Sequence, residues 1–187
     1  MAKRPGLNRA KLVQAAVQVL QEQGDASLTF KALAAHLGVR PPSLYNHVAS
    51  LEELHRDMRL HGLRELNQTL QASVEGLSGI AALQALCHGY RTFALAQPGL
   101  YQMTLSSTEY EDDELREVGR QSLAVVEGVI QTYPLEDTQK YHAIRFLRSA
   151  MHGFISLEIS KGFAMPIEVD ESYRLLIIKL DRLLQHW

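Results

Sequence analysis

The sequence predicts an all-α protein of about nine helices, and three observations predict it. Apolar residues recur at three- and four-residue spacing in almost every long segment, two-residue alternation is sustained nowhere, and glycines and prolines cut the pattern into helix-sized pieces. The 187 residues, 46% hydrophobic and 21% charged, are enough to bury a core and exclude disorder throughout. No run of about eighteen apolar residues occurs, so no membrane span is expected. The basic pair Lys3-Arg4 is not followed by an apolar stretch, which argues against a signal peptide. A single cysteine, Cys87, excludes an intrachain disulfide and a multi-thiolate zinc site and fits a reducing compartment, so a cytoplasmic location is expected.

Asn8 is placed to cap a first helix running to Gln23, with Leu12, Ala15, Ala16, Val19 and Leu20 on one face and Gly24 as its stop. Thr29 caps a short second helix whose inward stripe is Phe30, Leu33, Ala34 and Leu37, and Gly38 ends it. Pro41 and Pro42 lack amide donors, so a third short helix is expected from about Pro42 to His47 or Val48. Ser50 followed by Glu53 is a capping box that opens a long fourth helix, to about residue 75, on Leu51, Leu54, Met58, Leu66, Leu70 and Val74. Gly76, Ser78 and Gly79 make a hinge-like break. Beyond it the pattern gives a helix over Ile80–Ala96, a helical turn over Leu100–Leu105, a polar loop over 106–112, and helices over Asp113–Tyr133, Asp137–Gly162 and Asp170–His186, with Asp137 and Asp170 as expected caps.

The whole-chain charge of -2 conceals a division. Residues 1–50 carry +4, from Lys3, Arg4, Arg9, Lys11, Lys31 and Arg40 against Glu22 and Asp25, and the remainder carries -6. A basic head on an acidic body points one end of the molecule at a polyanion. That head, residues 1–50, is expected to be one domain, and residues 51–187 a second, with the fourth helix as connector.

The head has the outline of a helix-turn-helix: a longer helix, then two short ones across a Gly-containing turn. At about 100° per residue, Leu44 and Val48 share a face that can lock onto Leu33, Leu37 and Val39. Pro42, Ser43, Asn46 and His47 fall opposite, small or hydrogen-bonding groups suited to base edges and phosphates, and Tyr45 sits at the side with its phenol in reach of a phosphate oxygen. Taken singly, Tyr45 and His47 are ordinary surface residues, Thr29 is a helix cap and Arg40 a solvated charge. Their joint spacing carries the DNA-binding reading.

The run Leu28-Thr-Phe-Lys-Ala-Leu-Ala-Ala-His-Leu-Gly-Val-Arg-Pro-Pro-Ser-Leu-Tyr-Asn-His-Val-Ala-Ser-Leu-Glu-Glu-Leu54 closely resembles the DNA-binding signature of the TetR family of bacterial transcriptional regulators. Met151-His152-Gly153-Phe154 resembles the Trp-His-Gly motif of one C-terminal domain type of that family, with Met151 in place of the Trp. The resemblance implies a repressor that binds a palindromic double-stranded operator as a homodimer and is released by a small-molecule effector. It implies phosphate contacts from Thr29, Tyr45 and His47, with Arg40, Pro42, Ser43 and Asn46 toward the bases; Lys31 lies on the same surface. Arg40 stands where the family usually has a capping Ser or Thr, and so offers a guanidinium to a guanine or a phosphate instead. Leu51 stands where a Lys commonly holds phosphate, and the arm residues Lys3, Arg4, Arg9 and Lys11 could replace that attraction.

In the body, the last helix carries Tyr173, Leu176, Ile177, Leu180, Leu183, Leu184 and Trp187 as one wide apolar stripe, and its partner carries Ile144, Leu147, Met151, Ile155 and Ile159, with Gly153 allowing close approach. These residues are the expected dimer seam; the competing reading buries the stripe within one subunit. An effector cavity, implied by the resemblance, has Cys87, Tyr90, Phe93, Ala94, Tyr101, Met103, Leu123, Val126, His152 and Leu157 as candidate lining, against the alternative that they are plain core.

Two other classes remain to be weighed. A helical partner-binding module would show no salt-dependent binding to duplexes. A hydrolase finds little support: Cys87 and His88 are neighbours that point about 100° apart on a helix. His-Glu-x-x-His, P-loop and dinucleotide-binding glycine patterns are absent, and the acidic run Glu109, Glu111, Asp112, Asp113 and Glu114 lacks calcium-loop spacing and suits a helix N-terminus. No catalytic residue, metal or cofactor is expected.

Overall fold

A computed structural model describes residues 7–24, 27–105 and 112–187 of the chain. The arm residues Lys3 and Arg4, and most of the expected polar loop with Glu109 and Glu111, lie outside the described residues. The helices are α1 (Arg9–Gln23), α2 (Phe30–Leu37), a 3-10 helix (Pro41–Asn46), α3 (Leu51–Val74), α4 (Gly79–Ala96), α5 (Pro98–Thr104), α6 (Asp113–Ile130), α7 (Asp137–Ile159) and α8 (Val169–Gln185). The described residues contain no strand, and no helix among them is long and apolar enough to cross a membrane.

Local chemistry accounts for most of the boundaries. Asn8 accepts from the Lys11 amide at 2.9 Å, and Thr29 from the Ala32 amide at 3.1 Å, each satisfying a donor that its helix start would leave orphaned. The expected capping box at α3 is half realised: Ser50 accepts from the Glu53 amide at 3.1 Å, but the Glu53 carboxylate takes the Ala49 amide, at 2.6 Å, one residue early. At α7 and α8 the caps are Glu136 and Glu168, so Asp137 lies inside its helix and Asp170 in the first turn of α8, where their charge still complements the helix dipole.

The chain forms two compact units, Met1–Arg64 with Gln97–Leu115, and Glu65–Ala96 with Arg116–Trp187. In the first, Leu12, Ala16 and Val19 of α1, Leu33 of α2, Leu44, and Leu54 and Met58 of α3 are wholly buried. The short α5 belongs to this unit because Gly99 lets it approach α1; a Cβ there would lie 2.8 Å from Leu20 Cγ. Arg56 donates to Asp112 at 3.0 Å and to Glu114 at 3.0 Å, and Arg64 to Glu114 at 2.6 Å, fixing α3 to the first turn of α6. Asp112 also accepts the amides of Glu114 and Leu115, so part of the acidic run serves as a helix N-terminus, as its composition suggests.

In the second unit, α4 packs against α7 and α8 around Leu83, Leu86, Cys87, Leu147, Ile155, Tyr173 and Ile177. The buried Tyr173 hydroxyl donates to the Cys87 carbonyl at 2.8 Å, and Tyr133 donates to Asp181 at 2.7 Å. Arg91 pairs with Glu158 and Asp170 while its guanidinium lies 4.9 Å over the Tyr173 ring. Buried Asn67 of α3 donates to the Val118 carbonyl of α6 at 2.9 Å, so its polar group is satisfied rather than stranded.

Candidate nucleic-acid interface

The turn between the two short helices is set by Gly38. Its φ of 65° and ψ of 33° are left-handed, and its amide donates to Ala35 O while that of Val39 donates to Ala34 O, at 3.2 and 3.0 Å. This is the two-bond termination of a helix that glycine permits without strain. Arg40 follows in extended backbone, φ -84° and ψ 141°, the conformation that a following proline requires.

The next segment, the third short helix expected from about Pro42, is a six-residue 3-10 helix beginning at Pro41. The two prolines occupy its first two positions, whose amides would have no intrahelical partner anyway, and the first bond runs from the Ser43 amide to Arg40 O at 2.9 Å. Such tight helices stay short, and this one ends as the His47 and Val48 amides both reach Leu44 O, at 2.9 and 3.2 Å. Leu44 and Val48 are buried, as expected of the inner face. Thr29, Lys31, Arg40, Pro42, Tyr45 and Asn46 are exposed, and Ser43 and His47 are half-buried beside them. Tyr45 stands edge-on against Phe30, ring centroids 4.9 Å apart, which props an otherwise 58% exposed phenol. Periodicity assigns Phe30 to the core, so this supporting role was not legible from it.

The arm reading needs one correction. Arg9 is not a free cation: it pairs with Glu53 at 2.8 Å and donates to Asp57 at 2.8 Å, so it clamps the start of α1 to α3. Backbone donation from Ala49, reinforced by Arg9, holds the Glu53 carboxyl below its ordinary 4.5, and hydrogen bonds from Arg56 lower Asp112 and Glu114. A carboxylate depressed in the folded state contributes stability above its unfolded value and loses it as pH falls through the folded value. The thermal midpoint is therefore expected to stay flat from about pH 8 to 6 and to fall below about pH 5. Arg56→Met flattens that decline; a midpoint that rises on acidification contradicts the assignment.

Comparison with known proteins bears directly on this surface. Residues 12–58 match the family model for bacterial regulatory proteins of the tetR family, and residues 83–180 match that for the tetracyclin repressor-like C-terminal domain. The chain belongs to the TetR family. The uncharacterized HTH-type transcriptional regulator Rv0681 of Mycobacterium tuberculosis is 33% identical over 175 residues, covering 93% of this chain and 80% of its own. A protein with unknown function from Rhodococcus sp. RHA1 shares the fold with a TM-score of 0.86 at 20% identity, over 99% of each chain. BioQ, solved with its double-stranded DNA operator, superposes with a TM-score of 0.63 at 24% identity, over 94% of this chain and 99% of its own. The chain is thus a transcriptional regulator of the TetR type with a DNA-binding helix-turn-helix.

For this TetR-family regulator the structure also places the residues suggested for an effector cavity and a dimer seam. The ten suggested for an effector cavity are divided between the two units. Tyr101 and Met103 belong to the first unit, because α5 packs on α1, and the rest belong to the second. There Cys87 and Ala94 are wholly buried, Tyr90 and Phe93 nearly so, Val126 and His152 are half-buried, and Leu123 and Leu157 are exposed. The second unit holds a groove of about 640 Å³ between the end of α3, α4 and α6, lined by Gln68, Gln71, Ala72, Val74, Glu75, Leu77, Ala82, Ala124, Val125, Gly128, Val129 and Thr132. None of the ten lines it.

Most of the residues expected at a dimer seam are buried within the chain. Leu147, Met151, Ile155, Tyr173, Ile177, Leu180 and Leu184 are at most 4% exposed within a single chain, leaving them nothing to present to another; Ile144 and Leu176 are half-buried. The stripe is wide because it faces α4, and helical periodicity alone does not tell an intrachain face from an interchain one. The outward side of the same two helices exposes Phe146, Leu157, Leu175 and Leu183, Trp187 is exposed just past the end of α8, and a Cβ on Gly153 would meet nothing within 4 Å.

Burial pushes the Cys87 thiol up to about 12, so it is not a thiolate at neutral pH, while His88 is exposed and turned to the Tyr173 ring, 5.7 Å away. Cys87 is expected to resist iodoacetamide in the folded protein and to react fully in denaturant. Modification of the native chain at the rate of a free thiol contradicts this burial.

Proposed function

We propose that the protein is a cytoplasmic transcriptional repressor that binds a palindromic operator as a homodimer and is released by a small-molecule effector. The observation that carries the reading is the outward surface of Thr29, Lys31, Arg40, Pro42, Ser43, Tyr45, Asn46 and His47, a continuous set of donors and small residues held on a buried Leu44–Val48 anchor. Phosphate contact falls to Thr29, Tyr45 and His47, and base contact to Arg40, Pro42, Ser43 and Asn46. BioQ, which shares the fold, was crystallised with its double-stranded DNA operator, which supports duplex binding by this chain.

A palindrome needs two reading heads. The exposed apolar side of α7 and α8, with Phe146, Gly153 and Leu183, supports a second copy as its cover. The groove in the second unit is of ligand size and lined by Ala72, Val74, Leu77, Ala82, Val125 and Val129 with a few polar groups, which supports an effector there. Its wall includes the C-terminal end of α3, the helix that begins just after the reading head. A ligand that prefers one position of this helix lowers DNA affinity by as much as its affinities for the two states differ.

Footprinting on the DNA that flanks the protein's own gene tests the reading. The expected result is a symmetric protected stretch whose halves lie about one or two helical turns apart. Absence of protection by purified protein at low salt overturns it.

A further inference from the structure

We infer that Arg40 specifies one position of each operator half-site, by reading a guanine there through a forked pair of bonds to its O6 and N7. The inference rests on the operator-binding reading above and narrows it to one residue and one base. Arg40 immediately precedes the reading helix, is exposed, and makes no capping bond; among the described residues no acidic partner engages its guanidinium. Lys31 lies on α2, and Arg9 is held by Glu53 and Asp57, so Arg40 is the cation that opens the reading segment itself.

The backbone around it excludes the commoner use of a helix start. An ordinary helix N-terminus offers free amides to phosphate. Here Pro41 and Pro42 have none, and the next amide, Ser43, is already bonded to Arg40 O at 2.9 Å. The opening turn therefore cannot hold a phosphate through its main chain. What it offers is a rigid, donor-free pair of rings that can sit close to the groove floor, with the Arg40 backbone fixed in extended form by Pro41. Of the side chains along the segment, Ser43 and Asn46 bring short neutral groups. Arg40 alone brings a charged planar fork, whose geometry matches the two acceptors of guanine in the major groove.

Selection from random duplexes at fixed salt, with the wild type, Arg40→Ser and Arg40→Lys, tests this. The wild type is expected to enrich a palindrome with guanine at one symmetry-related position per half-site. Arg40→Ser keeps the rest of the motif and becomes indifferent at that position. Its affinity for the wild-type site falls about 10- to 100-fold per half-site, and Arg40→Lys recovers only part of that. Replacing the guanine by 7-deazaguanine weakens the wild type and leaves Arg40→Ser unchanged. If Arg40→Ser instead weakens all duplexes alike and lowers the salt slope by about one per half-site, Arg40 holds a phosphate and the inference fails while operator binding stands. If the wild type enriches no motif, the operator reading fails and this one with it.

Discussion

Leu44→Ala is expected to abolish specific DNA binding, although Leu44 touches no DNA. The 3-10 helix has six residues, two of them prolines, and is held by the burial of Leu44 and Val48, exposed to 0 and 2%. Truncating a fully buried leucine costs about 2–5 kcal/mol. A segment this short has few other contacts to absorb that loss, so the cost falls on local order: the reading helix opens before the unit does. Hydrogen exchange should show fast amides at His47 and Val48, which both bond to Leu44 O, with those of α4, α7 and α8 unchanged. Duplex affinity should drop to the non-specific level, about 1,000-fold or more below the wild type. Unchanged affinity with unchanged exchange contradicts the anchor.

Gly153→Phe is expected to yield a folded monomer. A Cβ at Gly153 meets nothing within 4 Å inside the chain, and replacing a mid-helix glycine removes a conformational cost of up to about 1 kcal/mol, so the subunit has no reason to lose stability. A phenyl ring there holds a second α7 away. Two heads joined by an interface bind the second half-site as an intramolecular event, an advantage of about 100- to 10,000-fold. Operator affinity should fall within that range, and sedimentation should report one chain. Gly119→Ala, also in open space but on α6, serves as control and should leave both measurements unchanged. A dimeric Gly153→Phe with wild-type affinity places the seam elsewhere.

The reading head was legible in the sequence because its signals are local. Thr29 before a 3.6-residue stripe, Gly38 at a left-handed turn and the Pro41-Pro42 pair each dictate backbone geometry within a few residues, and the structure follows them. What was not legible depends on which face meets which. The stripe through Tyr173 and Ile177 has the same period whether it covers α4 or a second copy. The placement of α5 turned on Gly99 lying against Leu20, a contact across 79 residues of chain that no spacing records. Arg9 read as part of a basic arm because its partners, Glu53 and Asp57, are more than forty residues away.

Two copies of this helix-turn-helix are expected to read one palindromic duplex. The direct measurement is binding of the selected duplex and of a scrambled duplex of equal length, followed by anisotropy at near-physiological salt, with the stoichiometry of the complex from native mass spectrometry. The expected result is an even number of chains per duplex and a preference of about 1,000-fold or more for the selected sequence. Equal affinity for both duplexes, or a specific complex holding a single chain, contradicts it.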